Sequence, residues 1–462
     1  MRRNQWGILA LALLLLTAIL WVDWPQQLLE THLALASCHR NLSDQATDEE
    51  KNRLLPQINW SALSAGEDLA FIWEDVLYVT EGSSRVVRPV SNQGPAYAPT
   101  WSADGQWLAY VGVTDPETKR GSLWLVRRDG SKARPVTGLP GTVEQGSFVW
   151  SPTANHLAVD VPGHGLWLVP TRGQPVQVDP APGLYRLTWS PNGQFIAYNY
   201  RLGPSSAEAG DVLSLIDVHK KERYQLLQAS NAGICILGWW PDGGGMLFCE
   251  IPAHSASIAS DGVMLYSLPI TLPPGIEGQE QQPTKLVTTL CQTHWLQITG
   301  ATQLLAVAGE GRIAWANKQL ALADPVTGQV ELLANPPGLV ALDPSINPKD
   351  GSIAFVGAPD LGFDVWGFSK QEYADWVAHR TLWLRAPNGQ LKQLAHAGGQ
   401  VFGPTWSKDG HQIRYYAANA LWTINADNRP SRQKIVDLGP GQGRGIYGAV
   451  DYNGYFAWYQ QP

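Results

Sequence analysis

The sequence predicts an all-β fold, a β-propeller of eight four-stranded blades, and three observations predict it. A turn-opening Trp recurs at Trp60, Trp101, Trp150, Trp189, Trp239 and Trp406, followed by Ser in every case but Trp239. Up to Trp239 the spacing is about 40 to 50 residues, the period of a propeller blade. Short apolar segments follow each Trp as a second strand, such as Leu108-Ala109-Tyr110, Ile196-Ala197-Tyr198 and Ile413-Arg414-Tyr415. A third strand then carries Leu before an aromatic or small residue, as in Leu77-Tyr78, Leu123-Trp124, Leu166-Trp167, Leu382-Trp383 and Leu421-Trp422.

Each element of the unit has a local cause. Residues 99–126 are the clearest copy: Thr100-Trp101 ends one strand, and Ala103-Asp104-Gly105 forms a turn. Asp starts turns through its side chain and Gly accepts φ > 0. The chain then runs back as a hairpin, and residues 122–126 make the third strand. A blade cannot bury its faces alone, so the recurrent Trp reads as an apolar wedge between neighbours. Degenerate copies at Leu305-Ala306-Val307 and Ile353-Ala354-Phe355 fill the long gap, and Phe456-Ala457-Trp458 stands at the C-terminus as a ninth second strand. The counts give eight blades, with seven as the alternative because the sixth unit, 303–333, is weakest. The terminal half unit, 448–459, is expected beside the first blade, where it would lock the ring.

The wording Pro-x-Trp-Ser-x-Asp-Gly followed by Ile/Leu-Ala-Tyr/Phe is best matched at 99–110, 187–198 and 404–415. It resembles the WD-like repeats of TolB-type propellers across roughly residues 58–460. That resemblance is specific for fold and weak for function. It implies a periplasmic interaction module, a sensor or scaffold domain, or the gating propeller ahead of a peptidase domain. The last needs an α/β-hydrolase partner with a Gly-x-Ser-x-Gly elbow, which this sequence does not carry.

Composition agrees with a turn-rich β fold: 16% of residues are charged and 44% hydrophobic, with 46 Gly and 33 Pro. The net charge of -7 and the lack of a Lys/Arg run argue against nucleic acid as a partner. Residues 6–22 form an uncharged apolar run behind Arg2 and Arg3. Its length and flanks predict a membrane anchor over 1–24, with the remainder outside the cytoplasm. A stalk over 25–57 and the propeller over 58–462 would follow. Cleavage is the rival reading, at Ala34-Leu35-Ala36 or at the lipoprotein-like Leu35-Ala36-Ser37-Cys38. Both lie beyond Asp23, Pro25 and Glu30, far from the apolar run.

Cys235 and Cys249 flank the Asp242-Gly243 turn symmetrically, so they face each other across a hairpin and are a disulfide candidate, with two buried thiols as the alternative. No Cys or His spacing suggests a metal, and nothing implies a cofactor.

Insertions concentrate in the loops joining second to third strands, which open on one face: 113–121, 201–210, 252–262 and, longest, 358–380. The exception is a third-to-fourth loop, 272–283. In 358–380, Ser369 and Glu372 make a capping box for a helix. The loop's aromatics either close over the end of the channel or present a docking surface. Packing is favoured, because so long a loop needs its own core. If the surface binds, its anchors are Phe363, Asp364, Trp366, Tyr373 and Trp376. The function expected is a membrane-tethered extracytoplasmic scaffold that binds a protein, peptide or envelope ligand on this loop face. The alternative is a propeller enzyme, glycosidase- or lyase-like, with its site at the channel mouth.

Overall fold

The Trp-Ser-x-Asp-Gly stretch sets the geometry of a blade. In blade 2, Ser102 Oγ donates to Asp104 Oδ1 at 2.6 Å and accepts from Trp107 N at 3.0 Å, while Gly105 N donates to Ser102 O. Gly105 sits at φ 65°, a left-handed conformation that glycine adopts without strain. Blade 8 repeats the arrangement with Ser407, Asp409 and Gly410. The computed structural model describes residues 55–460 apart from short stretches, the longest being 203–209, 253–261, 272–281 and 363–368. The expected anchor, the stalk up to residue 54, Cys38, Cys291, Phe363, Asp364 and Trp366 lie outside the described residues.

Eight four-stranded antiparallel sheets form the blades, joined by one two-stranded hairpin, Arg444–Ile446 with Ala449–Asp451. The degenerate sixth unit is a blade like the rest: Leu296–Ile298, Leu304–Ala308, Gln319–Ala323 and Val330–Leu332. Every predicted third-strand Leu lies in a third strand. In five blades its neighbour stands directly opposite an aromatic of the second strand: Phe71 and Tyr78, Tyr110 and Trp124, Phe248 and Tyr266, Phe355 and Trp383, Tyr415 and Trp422. Aromatic cross-strand pairs of this kind fix register, since a one-residue slip would turn every side chain to the other face.

The Trp wedges are pinned as well as packed. The indole nitrogens of four donate to the innermost strand of the preceding blade: Trp101 to Ala457 O, Trp150 to Thr100 O, Trp189 to Val149 O and Trp406 to Ser345 O, at 3.0 to 3.2 Å. Apolar clusters fill the seams around the ring, from blades 1 and 2 through blades 6, 7 and 8.

Two sequence expectations need correcting here. Trp60 lies in a 3-10 turn, Trp60–Ala62, ahead of blade 1, and is not in a blade strand. Phe456-Ala457-Trp458 is likewise no ninth second strand. It belongs to Phe456–Gln460, which pairs antiparallel with Glu67–Trp73, Leu69 facing Trp458 and Phe71 facing Phe456. The C-terminal strand thus supplies the innermost strand of blade 1 and closes the ring, beside the first blade as expected. At the closing seam Arg414 of blade 8 is ion-paired with Glu67 of blade 1, both buried, and its guanidinium lies 4.4 Å from the Trp458 ring.

The expected Cys235–Cys249 bridge is not present. The two do stand directly opposite each other, yet Cys249 is a free buried thiol and Cys235 is engaged in a different disulfide. Directly opposed strand residues hold their Cβ atoms about 4.5 to 5.5 Å apart. Facing positions make a disulfide feasible without deciding which thiols join, and here Cys249 is left as the thiol.

Candidate functional site

The longest insertion folds as its local sequence requires. Ser369 caps the helix Lys370–Ala378: its Oγ accepts from Glu372 N at 3.2 Å, and Glu372 Oε2 accepts from Ser369 N at 2.8 Å. These bonds hold the exposed Glu372 carboxyl below its ordinary range. Trp376 then faces inward. It is 3% exposed, its indole N–H donates to Pro359 O at 3.0 Å, and its ring meets Trp315 of blade 6 edge-on at 6.0 Å. Tyr373 packs half-buried against it. These two aromatics are therefore placed as packing residues and not as free anchors.

Behind the helix lies a group that the sequence did not single out. Arg380 is 0% exposed; its Nη2 donates to Asp343 Oδ2 at 2.6 Å, Nε to Val401 O at 3.0 Å and Nη1 to Gly448 O at 3.1 Å. Its guanidinium stacks over Phe402, 4.0 Å from the ring centre. Burial pushes the Arg380 pKa down, and the Asp343 carboxylate opposes that shift. A buried charge persists where it is paired and hydrogen-bonded. Through Gly448 the same side chain holds the hairpin between blades 8 and 1. A Cβ on Gly448 would meet Ala314 at 3.0 Å and Trp315 at 3.1 Å, and its φ of 90° favours glycine. Tyr452 continues the cluster by stacking on Tyr416 at 3.9 Å. No local signal points to Arg380, because its partners come from three distant segments.

What remains outward on this helix is polar. Lys370, Gln371, Glu372, Ala374, Asp375, Ala378 and His379 are exposed. Gln371 Nε2 donates to Asp375 Oδ1 at 2.8 Å, and His379 Nδ1 donates to Asp375 O at 2.7 Å. Elsewhere on the loop face, Arg120 makes a bidentate pair with Glu144 at 2.9 and 3.3 Å, and Lys119 lies over the rings of Tyr97 and Tyr455. Among the described residues, no group of three or more His, Cys, Asp or Glu is placed to hold a metal ion, and no helix is long and apolar enough to cross a membrane.

No family model matches the chain, and no curated protein matches it. Solved structures do. The dipeptidyl peptidase 4 of Porphyromonas gingivalis is 10% identical with a TM-score of 0.53, over 82% of this chain and 61% of that one. The tricorn protease is 10% identical at a TM-score of 0.45, over 83% and 35%, and TolB of Acinetobacter baumannii 14% identical at 0.35, over 74% and 66%. The chain thus spans less than two thirds of each of these proteins. At such identities the first likeness is one of fold alone, and the other two are too loose to carry an argument. The fold itself is an eight-bladed propeller, as the repeat implied.

Proposed function

We propose that the protein is an extracytoplasmic binding scaffold, tethered by residues 6–22, that engages a protein, peptide or envelope partner on its loop face near blades 6 to 8. One observation carries the reading: the helix Lys370–Ala378 is braced from beneath by Trp376 and the buried Arg380–Asp343 pair, so its polar outer face is held rigidly. A rigid ring that presents an ordered insertion is suited to recognition, because little conformational freedom is lost on binding. The aromatics serve that surface indirectly, as its foundation.

Reversing charge on the outer face tests this without touching the foundation. Asp375→Lys with His379→Glu in the full chain should leave the unfolding temperature unchanged and lose, at least about tenfold, a partner that co-purifies with the wild type from detergent-solubilised membranes. Retention of the same partner by the double variant would place recognition elsewhere. Recovery of the wild-type chain in the carbonate-soluble fraction would remove the tether from the proposal.

A further inference from the structure

The closing seam carries a charge where the repeat carries none. In each blade one residue of the second strand stands directly opposite the residue that precedes the wedge position of the innermost strand. Examples are Ala109 opposite Thr100 in blade 2, Ala354 opposite Ser345 in blade 7 and Arg414 opposite Thr405 in blade 8. In the other seven blades this residue is Ala or, at Leu247 and Leu305, Leu, always buried and packed toward the next blade of the ring. Arg414 occupies the same position at 1% exposure, facing blade 1.

Blade 1 supplies the complement. Consecutive strand residues point to opposite faces of a sheet, so Glu67 and Asp68, which open the second strand Glu67–Trp73, face different neighbours. Asp68 is ion-paired with Arg128 of blade 2, and Glu67 with Arg414 of blade 8. Trp458 of the C-terminal strand lies over the Arg414 guanidinium. Three segments remote in sequence thus meet at one buried charge.

The pair is poorly supplied with hydrogen bonds. Arg414 Nε and Nη1 and Glu67 Oε2 are buried without a hydrogen-bond partner among the described residues, as is Thr423 Oγ1 directly opposite Arg414. A buried ion pair of this kind is often no more stable than apolar residues of similar volume, whereas either charge left alone is strongly destabilising. Its distinct effect is selection. Blade 8 packed against any second strand other than that of blade 1 would bury Arg414 without this carboxylate.

We propose that Arg414 and Glu67 act as the key of ring closure, making the last blade close on the first blade of its own chain. Without them the seam admits a second copy of the chain, and the two exchange C-terminal segments. The strand Glu67–Trp73 takes its inner neighbour, Phe456–Gln460, from the far end of the propeller, and another copy could supply that segment equally well. The device is independent of recognition on the loop face.

Refolding the purified full chain from denaturant in detergent, followed by size-exclusion chromatography with light scattering, tests it. Wild type should return as monomer. Arg414→Ala alone strands the Glu67 charge and should lower the unfolding midpoint. Glu67→Leu with Arg414→Ala, which gives blade 8 the residue usual in the repeat, should unfold at a higher midpoint than Arg414→Ala. It should nevertheless raise the dimeric share by roughly tenfold or more over wild type, in dimers that persist on dilution. A double variant that refolds as monomer, unfolds no later than the single variant or fails to fold would overturn the proposal. So would dimers that dissociate on dilution, or a wild type that itself refolds to persistent dimers.

Discussion

Asp160 ends the second strand of blade 3, 7% exposed, with Oδ1 buried and without a hydrogen-bond partner. Burial, and then the nearby Glu144 charge, pushes its pKa from 3.8 up to about 7. Between those values the folded chain keeps a proton that the unfolded chain has released. Its contribution to stability is therefore present in full below the unfolded pKa and is lost as pH rises through the folded one. Asp160→Asn mimics the protonated form. Thermal unfolding of the variant should match wild type near about pH 4 and occur at higher temperature at about pH 8. Equal differences at both values would show that proton uptake is not the cause. Nothing in sequence marks Asp160, because its burial is a property of the folded blade. The Asp-Gly turns were legible because they are local, closing within about four residues. Cys249 shows the intermediate case: hairpin symmetry gave its register correctly, but register does not determine which thiols join.

At the scale of elements, the recurrent Trp was legible as a wedge, but its hydrogen bond to the preceding blade was not, since the acceptor lies up to 356 residues away in sequence. Trp239 is an exception, its Nε1 being buried without a partner, next to a register shift between Ile236 and Gly238. The two kinds of wedge should respond differently to the same change. Trp150→Phe removes the bond to Thr100 O and should cost about 1 kcal/mol more in denaturant unfolding than Trp239→Phe, which relieves an unsatisfied donor. Equal costs would mean that the wedges act through packing alone. The helix Lys370–Ala378 was predictable from its capping box, a contact between neighbours in sequence. Whether its aromatics would pack or dock was not, because a large apolar surface suits a core and an interface equally.

For the whole molecule, the blade number followed from strand counting, and the sixth blade was weak in sequence because it lacks the Trp-Ser turn while keeping the buried second strand Leu304–Ala308. Ring closure was legible only as an unpaired half unit in need of a partner. Its registered pairing and the Arg414–Glu67 pair emerge from long-range topology. The loop-face proposal presupposes this closure, because the hairpin bound by Arg380 lies between blades 8 and 1. Amide hydrogen exchange of Phe456–Gln460 in the native full chain tests it most directly. A closed eight-bladed ring predicts protection equal to that of its partner strand, Glu67–Trp73, with both released together in global unfolding. Rapid exchange of Phe456–Gln460 at the rate of an unstructured segment, with Glu67–Trp73 still protected, would contradict it.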